Sequence, residues 1–393
     1  MASRSHSATC HPLLARRIVI ALIVVALLVV GAALLHRQPP SPSREAKSSA
    51  ERRGTLLTAA ISERARRRAG SPAVPSPTGP SSAATQETPP GGPASVANLA
   101  TAAAAEYRRR AQYPPWSRPI ETGAEDPILR DREVSPNVTR GPNGSDPSLV
   151  TFPDQVSFEA PDPVVLYAYL SIDGTPVAAT EIDGEVADPH GDTLTQLQYN
   201  DDGRDGDPSA GDHIYTATID PRSIAVRLDG TYAVRVHAAT TNGDDRYGST
   251  GFLYSNPDAQ LTGRYSDSLV DGNLRIDAEV EVSASGRFHI AGSLYTQDGS
   301  PLAWAQNAQQ LGAGVHTLPL TFFGRILRQK AAVGPYILRF VALSTTTEMP
   351  NSKNRLVENA YVTQSYSVDS FGDAPYNDRN LLETAERLDP GPN

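Results

Sequence analysis

Leu274, Ile276, Ala278, Val280 and Val282 alternate with Arg275, Asp277, Glu279 and Glu281, a strict period of two. Successive side chains of a β-strand point to opposite faces, so this pattern reads as a strand with one face in a core and the other in water. Tyr232, Val234 and Val236 against Ala233, Arg235 and His237 repeat the signature. From Leu149 onward the chain is a series of short segments rich in Val, Ile, Tyr and Thr, divided by Asp, Gly, Pro and Asn turns. Such spacing with little helix between strands indicates antiparallel β-sandwiches.

Two units follow from this reading. In the first, residues 149–255, strands are expected over Val164–Ile172, Thr193–Tyr199, Ile214–Ile219, Thr231–Thr240 and Gly251–Tyr254. In the second, residues 256–370, they are expected over Leu274–Val282, Arg287–Tyr295, Val315–Phe322, Tyr336–Leu343 and Tyr361–Val368. A unit of about 110 residues suits an immunoglobulin-like sandwich. The fold class expected is all-β, two tandem immunoglobulin-like antiparallel β-sandwich domains behind an N-terminal transmembrane helix and disordered linker. Both units place Gly-x-Tyr-x-apolar at the start of a late strand, Gly230-Thr-Tyr232 and Gly334-Pro-Tyr336. A tyrosine there folds its hydroxyl onto the preceding turn in a tyrosine corner.

The N-terminal third is of another kind. Ile18–Leu35 is an uninterrupted apolar run that spans about 27 Å as a helix, just enough to cross a bilayer. It reads as a single-pass anchor with a cytoplasmic tail at residues 1–17; the alternative is a cleaved signal peptide ending at Gly31-Ala32-Ala33. Basic residues flank both sides of the run, so charge does not orient it. By analogy with exported β proteins, the anchor is expected in a bacterial inner membrane with the body outside the cytoplasm, in the periplasm or exported. Residues 36–93, rich in Pro, Ser, Thr and Gly, are expected to be a largely disordered linker with a short helix at 50–69. An Ala-rich helix is expected over 94–112, stopped by Pro114-Pro115, then an extended lead-in over 113–148; a tail over 371–393 closes the chain.

Charge is divided unevenly. Residues 1–112 hold 15 of the 35 Lys and Arg but only 5 of the 44 Asp and Glu, which leaves 20 against 39 in the body. A net charge of −19 there argues against nucleic acid, whose binding relies on clustered Lys and Arg. It favours cations or basic surfaces. The only cysteine, Cys10, precedes the apolar run, so thiol chemistry in the body is excluded.

The most acidic stretch is Asn200–Thr216, in which five aspartates and three glycines fall between Asp201 and Asp212. Ca²⁺ takes about six to eight oxygen ligands, and glycines let a short loop curl its oxygens inward. Asp201, Asp202, Asp205, Asp207 and Asp212 are the candidate ligands. Counted from Asp201, the loop has a glycine at the sixth position as an EF-hand does, but Gly203 and Asp212 stand where a third-position Asp or Asn and a twelfth-position Glu belong. Strands flank it, so it is not an EF-hand. Two readings stay open: a Ca²⁺ loop, or a turn in which aspartates hydrogen-bond their own backbone and glycines supply positive φ.

Tyr199–Thr216 resembles the Asp-Asp-Gly…Gly-Asp…Ala-Gly-Asp-Gly-x-Tyr signature of bacterial choice-of-anchor X proteins with immunoglobulin-like surface modules. Tyr107–Trp116 and Gly263–Gly272 are similar to the same family, and the resemblance covers roughly residues 100–370. It implies an envelope-associated β protein and supplies no catalytic residue to carry over. His213 stands where that signature has a glycine. The chain contains no His-Glu-x-x-His, no Gly-x-Ser-x-Gly, no phosphate-cradling glycine loop and no metal-spaced His/Cys cluster. It therefore reads as non-enzymatic: a membrane-anchored envelope protein with binding or scaffold domains, attached through residues 18–35 and engaging an envelope or extracellular protein. The alternatives are an accessory component of a secretion or surface-assembly system and a secreted hydrolase-associated protein.

Overall fold

The computed structural model describes residues 93–143, 146–222 and 229–389. The tail, the apolar run at 18–35 and the linker with its helix at 50–69 lie outside the described residues. Among the described residues no helix is long and apolar enough to cross a membrane.

The described chain is mostly β-strand in antiparallel sheets, with few helices. In the first sandwich one sheet holds Asn137–Thr139, Ser148–Pro153, Val164–Ile172, Thr175–Val177 and Tyr215–Ile219. The other holds Ser157–Glu159, Asp245–Ser255, Gly230–Thr240, Ala179–Ala187 and Thr193–Gln198, in that spatial order. Leu149, Leu166 and Leu170 from the first sheet meet Val186, Tyr232, Val234 and Phe252 from the second in one core. Strand Gly230–Thr240 buries every other residue from Tyr232 to Ala238, as the period of two requires.

The second sandwich packs Ala259–Val270, Asn273–Val282 and Gly314–Phe322 against a larger sheet built on Gly286–Thr296, Pro301–Leu311 and Tyr336–Thr345. All five apolar members of the 274–282 alternation are buried, while Arg275, Asp277, Glu279 and Glu281 line the opposite face. Val270 pairs with Asn273 across Asp271-Gly272, both at positive φ (50° and 72°), the geometry of a two-residue hairpin turn. Asp173-Gly174 closes Ile172 onto Thr175 in the same way. Strand 259–270 breaks register between Leu261 and Tyr265, around Gly263 at φ 81°, a β-bulge. The Tyr336 hydroxyl donates to the Ala332 carbonyl at 2.8 Å, closing a tyrosine corner. Tyr232 is buried and stacks on Phe252 with ring centroids 5.4 Å apart.

Several elements differ from the sequence reading. The lead-in is not simply extended: Ser117–Pro119 pairs with Pro301–Leu311 as an added edge strand, and Pro127–Arg130 forms a helical turn capped by Asp126. Residues 363–368, expected to continue the strand from Tyr361, leave it after Val362. There the backbone turns to let Thr363 Oγ1 accept from Tyr336 N and Tyr366 O accept from Gly334 N. The tail carries a helix, Arg379–Leu388, capped by the Asp378 side chain. It packs on the helix Pro93–Arg110, with Ala104 and Ala385 fully buried. Alanines on both sides let the two backbones approach closely. Tyr376 N and Asp378 N donate to the carbonyls of Gln112 and Ala111, so the two ends of the described chain are tied together.

One segment of the second sandwich grips the first. Lys353 N donates to Ser255 Oγ at 2.9 Å, Asn354 Nδ2 to Glu159 Oε1 at 3.4 Å, and the Arg355 guanidinium clasps Asp162. Arg132, from the lead-in, donates to the Asn354 carbonyl.

Candidate functional site: the Asp201–Asp212 loop

The loop crosses from Thr193–Gln198 in one sheet of the first sandwich to Tyr215–Ile219 in the other. Its neck is closed by a reciprocal backbone pair: Asn200 N donates to Thr216 O at 2.9 Å and Thr216 N to Asn200 O at 2.8 Å. Asp201 sits at the neck and reaches over the far end. Its Oδ1 accepts from Gly211 N (2.6 Å) and Asp212 N (3.2 Å), and its Oδ2 from His213 N (3.0 Å). Asp207, 6% exposed, holds the near end, its Oδ2 accepting from Gly203 N and its Oδ1 from Ser209 N. Asp212 Oδ1 accepts from Ile214 N.

These three carboxylates converge, with ligand atoms of Asp201, Asp207 and Asp212 all within 4.8 Å of one another. The other two candidates lie apart from that group. Asp202 is exposed and caps Arg204 N. Asp205 is exposed at φ 48°, and its carbonyl accepts from the Thr218 hydroxyl. That contact, with Gly206 lying against Val165 and Thr218, pins the loop's middle onto the sheet. A Cβ at Gly206 would lie 3.1 Å from Val165 Cγ1, and its φ of 98° is one that few side chains adopt.

Electrostatically the cluster is uneven. Burial pushes the Asp212 carboxyl above its ordinary value, and the Asp201 and Asp207 charges add to the rise, against the lowering effect of Ile214 N–H. His213 Nδ1 lies 3.8 Å from Asp201 Oδ2. His213 stands at φ 64°, so the position where the resembling signature has glycine is a left-handed one, and here a histidine occupies it. Sequence reading placed the carboxylates on one loop but could not separate inward from outward ones, because that depends on which glycine carries each reversal.

Among the described residues the remaining histidines do not gather into a site. His237 on the outer face bridges Asp183 Oδ2 (3.0 Å) and Asp245 Oδ1 (2.8 Å), which raise its pKa. His289 and His316 bond a glutamine side chain and a backbone carbonyl.

Residues 258–358 match the family model described as the C-terminal domain of DUF4785, a domain of unknown function. A DUF4785 family protein from Legionella pneumophila is 19% identical, with 57% of this chain and 58% of that one covered and a TM-score of 0.42. The chain thus spans under two thirds of that protein. The Yersinia pseudotuberculosis adhesin InvE (12% identity, 47% and 62% covered, TM-score 0.22) and a two-domain fibronectin type-III segment of chicken tenascin (10% identity, 58% and 99% covered, TM-score 0.22) are also similar. No curated protein matches the sequence.

Proposed function

We propose that this is a single-pass envelope protein, anchored through residues 18–35 with its body exported, whose two immunoglobulin-like domains bind or position an envelope or extracellular partner without catalysis. Within that reading, the Asp201–Asp212 loop binds Ca²⁺ and stiffens the first domain. The membership in choice-of-anchor X proteins that Tyr199–Thr216 suggests belongs to the same proposal.

The observation that carries the cation reading is the convergence of Asp201, Asp207 and Asp212 within 4.8 Å on a loop already closed at its neck. Like charges so placed repel unless a cation lies among them, and burial, with the Asp201 and Asp207 charges adding to it, pushes the Asp212 carboxyl up. Carboxylate oxygens suit a hard cation, and a loop with carbonyls and open solvent suits the larger, more flexible shell of Ca²⁺ over that of Mg²⁺. Ligands of this kind link one end of each sheet, so binding would act on fold stability.

In millimolar Ca²⁺ the melting temperature of the full chain is expected to exceed that in chelator by about 5 °C, as linkage gives for a ligand near a hundredfold above its Kd. Asp212→Asn, which keeps an acceptor for Ile214 N, should abolish the rise, while Asp205→Ala should retain it. Equal melting temperatures with and without chelator would leave the loop as a self-capped turn.

A further inference from the structure

A second candidate site lies away from the loop, where the helix Pro93–Arg110 ends against the second sandwich. Helix, lead-in and the strand Pro301–Leu311 line an open cleft of about 370 Å³. Tyr113 and Trp304 give it aromatic walls, and Arg109, Arg110 and Arg118 bring three guanidinium groups to its lining. Arg109 and Arg110 end the basic N-terminal part of the chain, and Arg118 opens the part whose net charge is −19.

The three arginines are not equivalent. Arg109 is consumed: it holds both oxygens of Glu106 (2.8 and 3.0 Å) and Oε1 of Glu121 (3.0 Å). Arg118 is half-buried and donates one N–H to the Arg110 carbonyl at 2.6 Å, which satisfies an end carbonyl of the helix. Its other N–H groups meet no protein acceptor among the described residues, nor does the Arg110 side chain. Burial and the neighbouring Arg110 charge lower the Arg118 pKa, against the raising effect of Asp378. Two guanidinium groups with spare donors thus adjoin an aromatic wall, and the helix end that would otherwise repel an anion is covered.

We propose that this cleft binds a small aromatic carboxylate, its carboxylate taken by Arg110 and Arg118 and its ring lying against Trp304 and Tyr113. A guanidinium presents paired donors that match a carboxylate, and arginine beside an aromatic wall favours a planar ligand. The two glutamates on the rim decide the charge. With Glu106 and Glu121 beside three arginines, the lining carries one net positive charge, which a monoanion neutralises and a phosphate dianion would overcompensate next to Glu106, Glu121 and the Asp378 that acts on Arg118. The volume suits a ligand of one or two rings.

Fluorine NMR of para-trifluoromethylbenzoate with the full chain in detergent tests this, with para-trifluoromethylbenzamide as the neutral isostere and inorganic phosphate as competitor. The benzoate is expected to broaden with a Kd of about 1 mM or below, and the amide to bind at least about tenfold more weakly. Arg110→Gln, at an exposed side chain, should weaken the benzoate about tenfold while leaving the melting temperature unchanged. Arg118→Lys, which keeps the charge and an N–H for the helix end but loses the fork, should also weaken it. Equal broadening by acid and amide would overturn the assignment, as would unaltered binding in Arg110→Gln. Displacement of the benzoate by equimolar phosphate would overturn it too.

Discussion

Gly324→Ala is expected to destabilise the protein by about 3 kcal/mol or more, lowering the melting temperature by about 10 °C. Three glycines from distant parts of the chain meet in the second sandwich. Gly272 lies in the hairpin turn between strands 259–270 and 273–282, Gly324 opens the helix Gly324–Gln329, and Gly372 follows Phe371 in the C-terminal segment. Gly372 N donates to the Gly272 carbonyl at 2.9 Å, and Gly324 N to Asn273 Oδ1 at 2.9 Å. A Cβ on Gly324 would lie 1.8 Å from the Gly272 oxygen and 3.0 Å from Gly372 N. Both are backbone atoms, so no rotamer change relieves the clash. The turn, the helix or the strap must move, and Phe371, 2% exposed in the core beside Gly372, moves with the strap. Gly312→Ala is the control, since its Cβ would meet only Ser285 Oγ at 3.9 Å and its φ is not a left-handed one; a change within about 0.5 kcal/mol is expected there. Thermal melts of the two variants side by side decide it, and a Gly324→Ala melt within a degree of wild type would refute the packing argument.

The glycine junction also marks where sequence reading runs out. Alternation at 232–236 and 274–282 was enough to place strands, because a period of two is a property of the backbone itself and the tertiary fold has only to supply a core. The Asp-Gly turns were legible for the same local reason: positive φ at two successive positions asks for those residues. What stayed hidden is non-local. Ser117–Pro119 has no strand pattern of its own and becomes a strand only because Pro301–Leu311 offers it a free edge. Ala259–Val270 carries polar and exposed residues through most of its length, with a bulge at Gly263, and so lacks the alternation that revealed its partner Asn273–Val282. At the acidic loop, composition pointed to the carboxylates, while the convergence of Asp201, Asp207 and Asp212 and the outward turn of Asp202 and Asp205 came from backbone reversals at Gly203, Gly206 and Gly211. The cationic cleft was invisible for a further reason: Arg109 and Arg110 sit in an Arg run ending a helix, which by itself reads as complement to the helix dipole.

The second large effect is expected at Asp126, where the lead-in is joined to the second sandwich. Asp126 is 4% exposed, and its Oδ1 accepts from Ile128 N (2.8 Å) and Ser293 Oγ (2.9 Å), its Oδ2 from the Tyr295 hydroxyl (2.7 Å). One carboxylate thus caps the helical turn Pro127–Arg130 and ties it to the strand Gly286–Thr296. Burial, with the Asp126 hydrogen bond and charge, holds the Tyr295 phenol well above its ordinary pKa, so it stays a donor across the accessible pH range. Asp126→Ala would strand two buried hydroxyls and the N–H of Ile128, and a loss of about 3 kcal/mol is expected from groups of this kind. Asp126→Asn keeps one carbonyl acceptor and should lose less, about 1–2 kcal/mol. Because Ile128 packs with Tyr295 and Phe340, the damage should concentrate in the lead-in. Hydrogen exchange is therefore the sharper measurement: amides of Ser117–Arg132 should lose protection in Asp126→Ala while those of Asn273–Val282 keep theirs. A double-mutant cycle with Tyr295→Phe separates the shared bond from packing, since the phenylalanine removes the donor and keeps the ring. Additive losses in that cycle, or an Asp126→Ala variant within 1 kcal/mol of wild type by urea unfolding, would mean that the lead-in is held by its strand pairing to Pro301–Leu311 and not by this carboxylate.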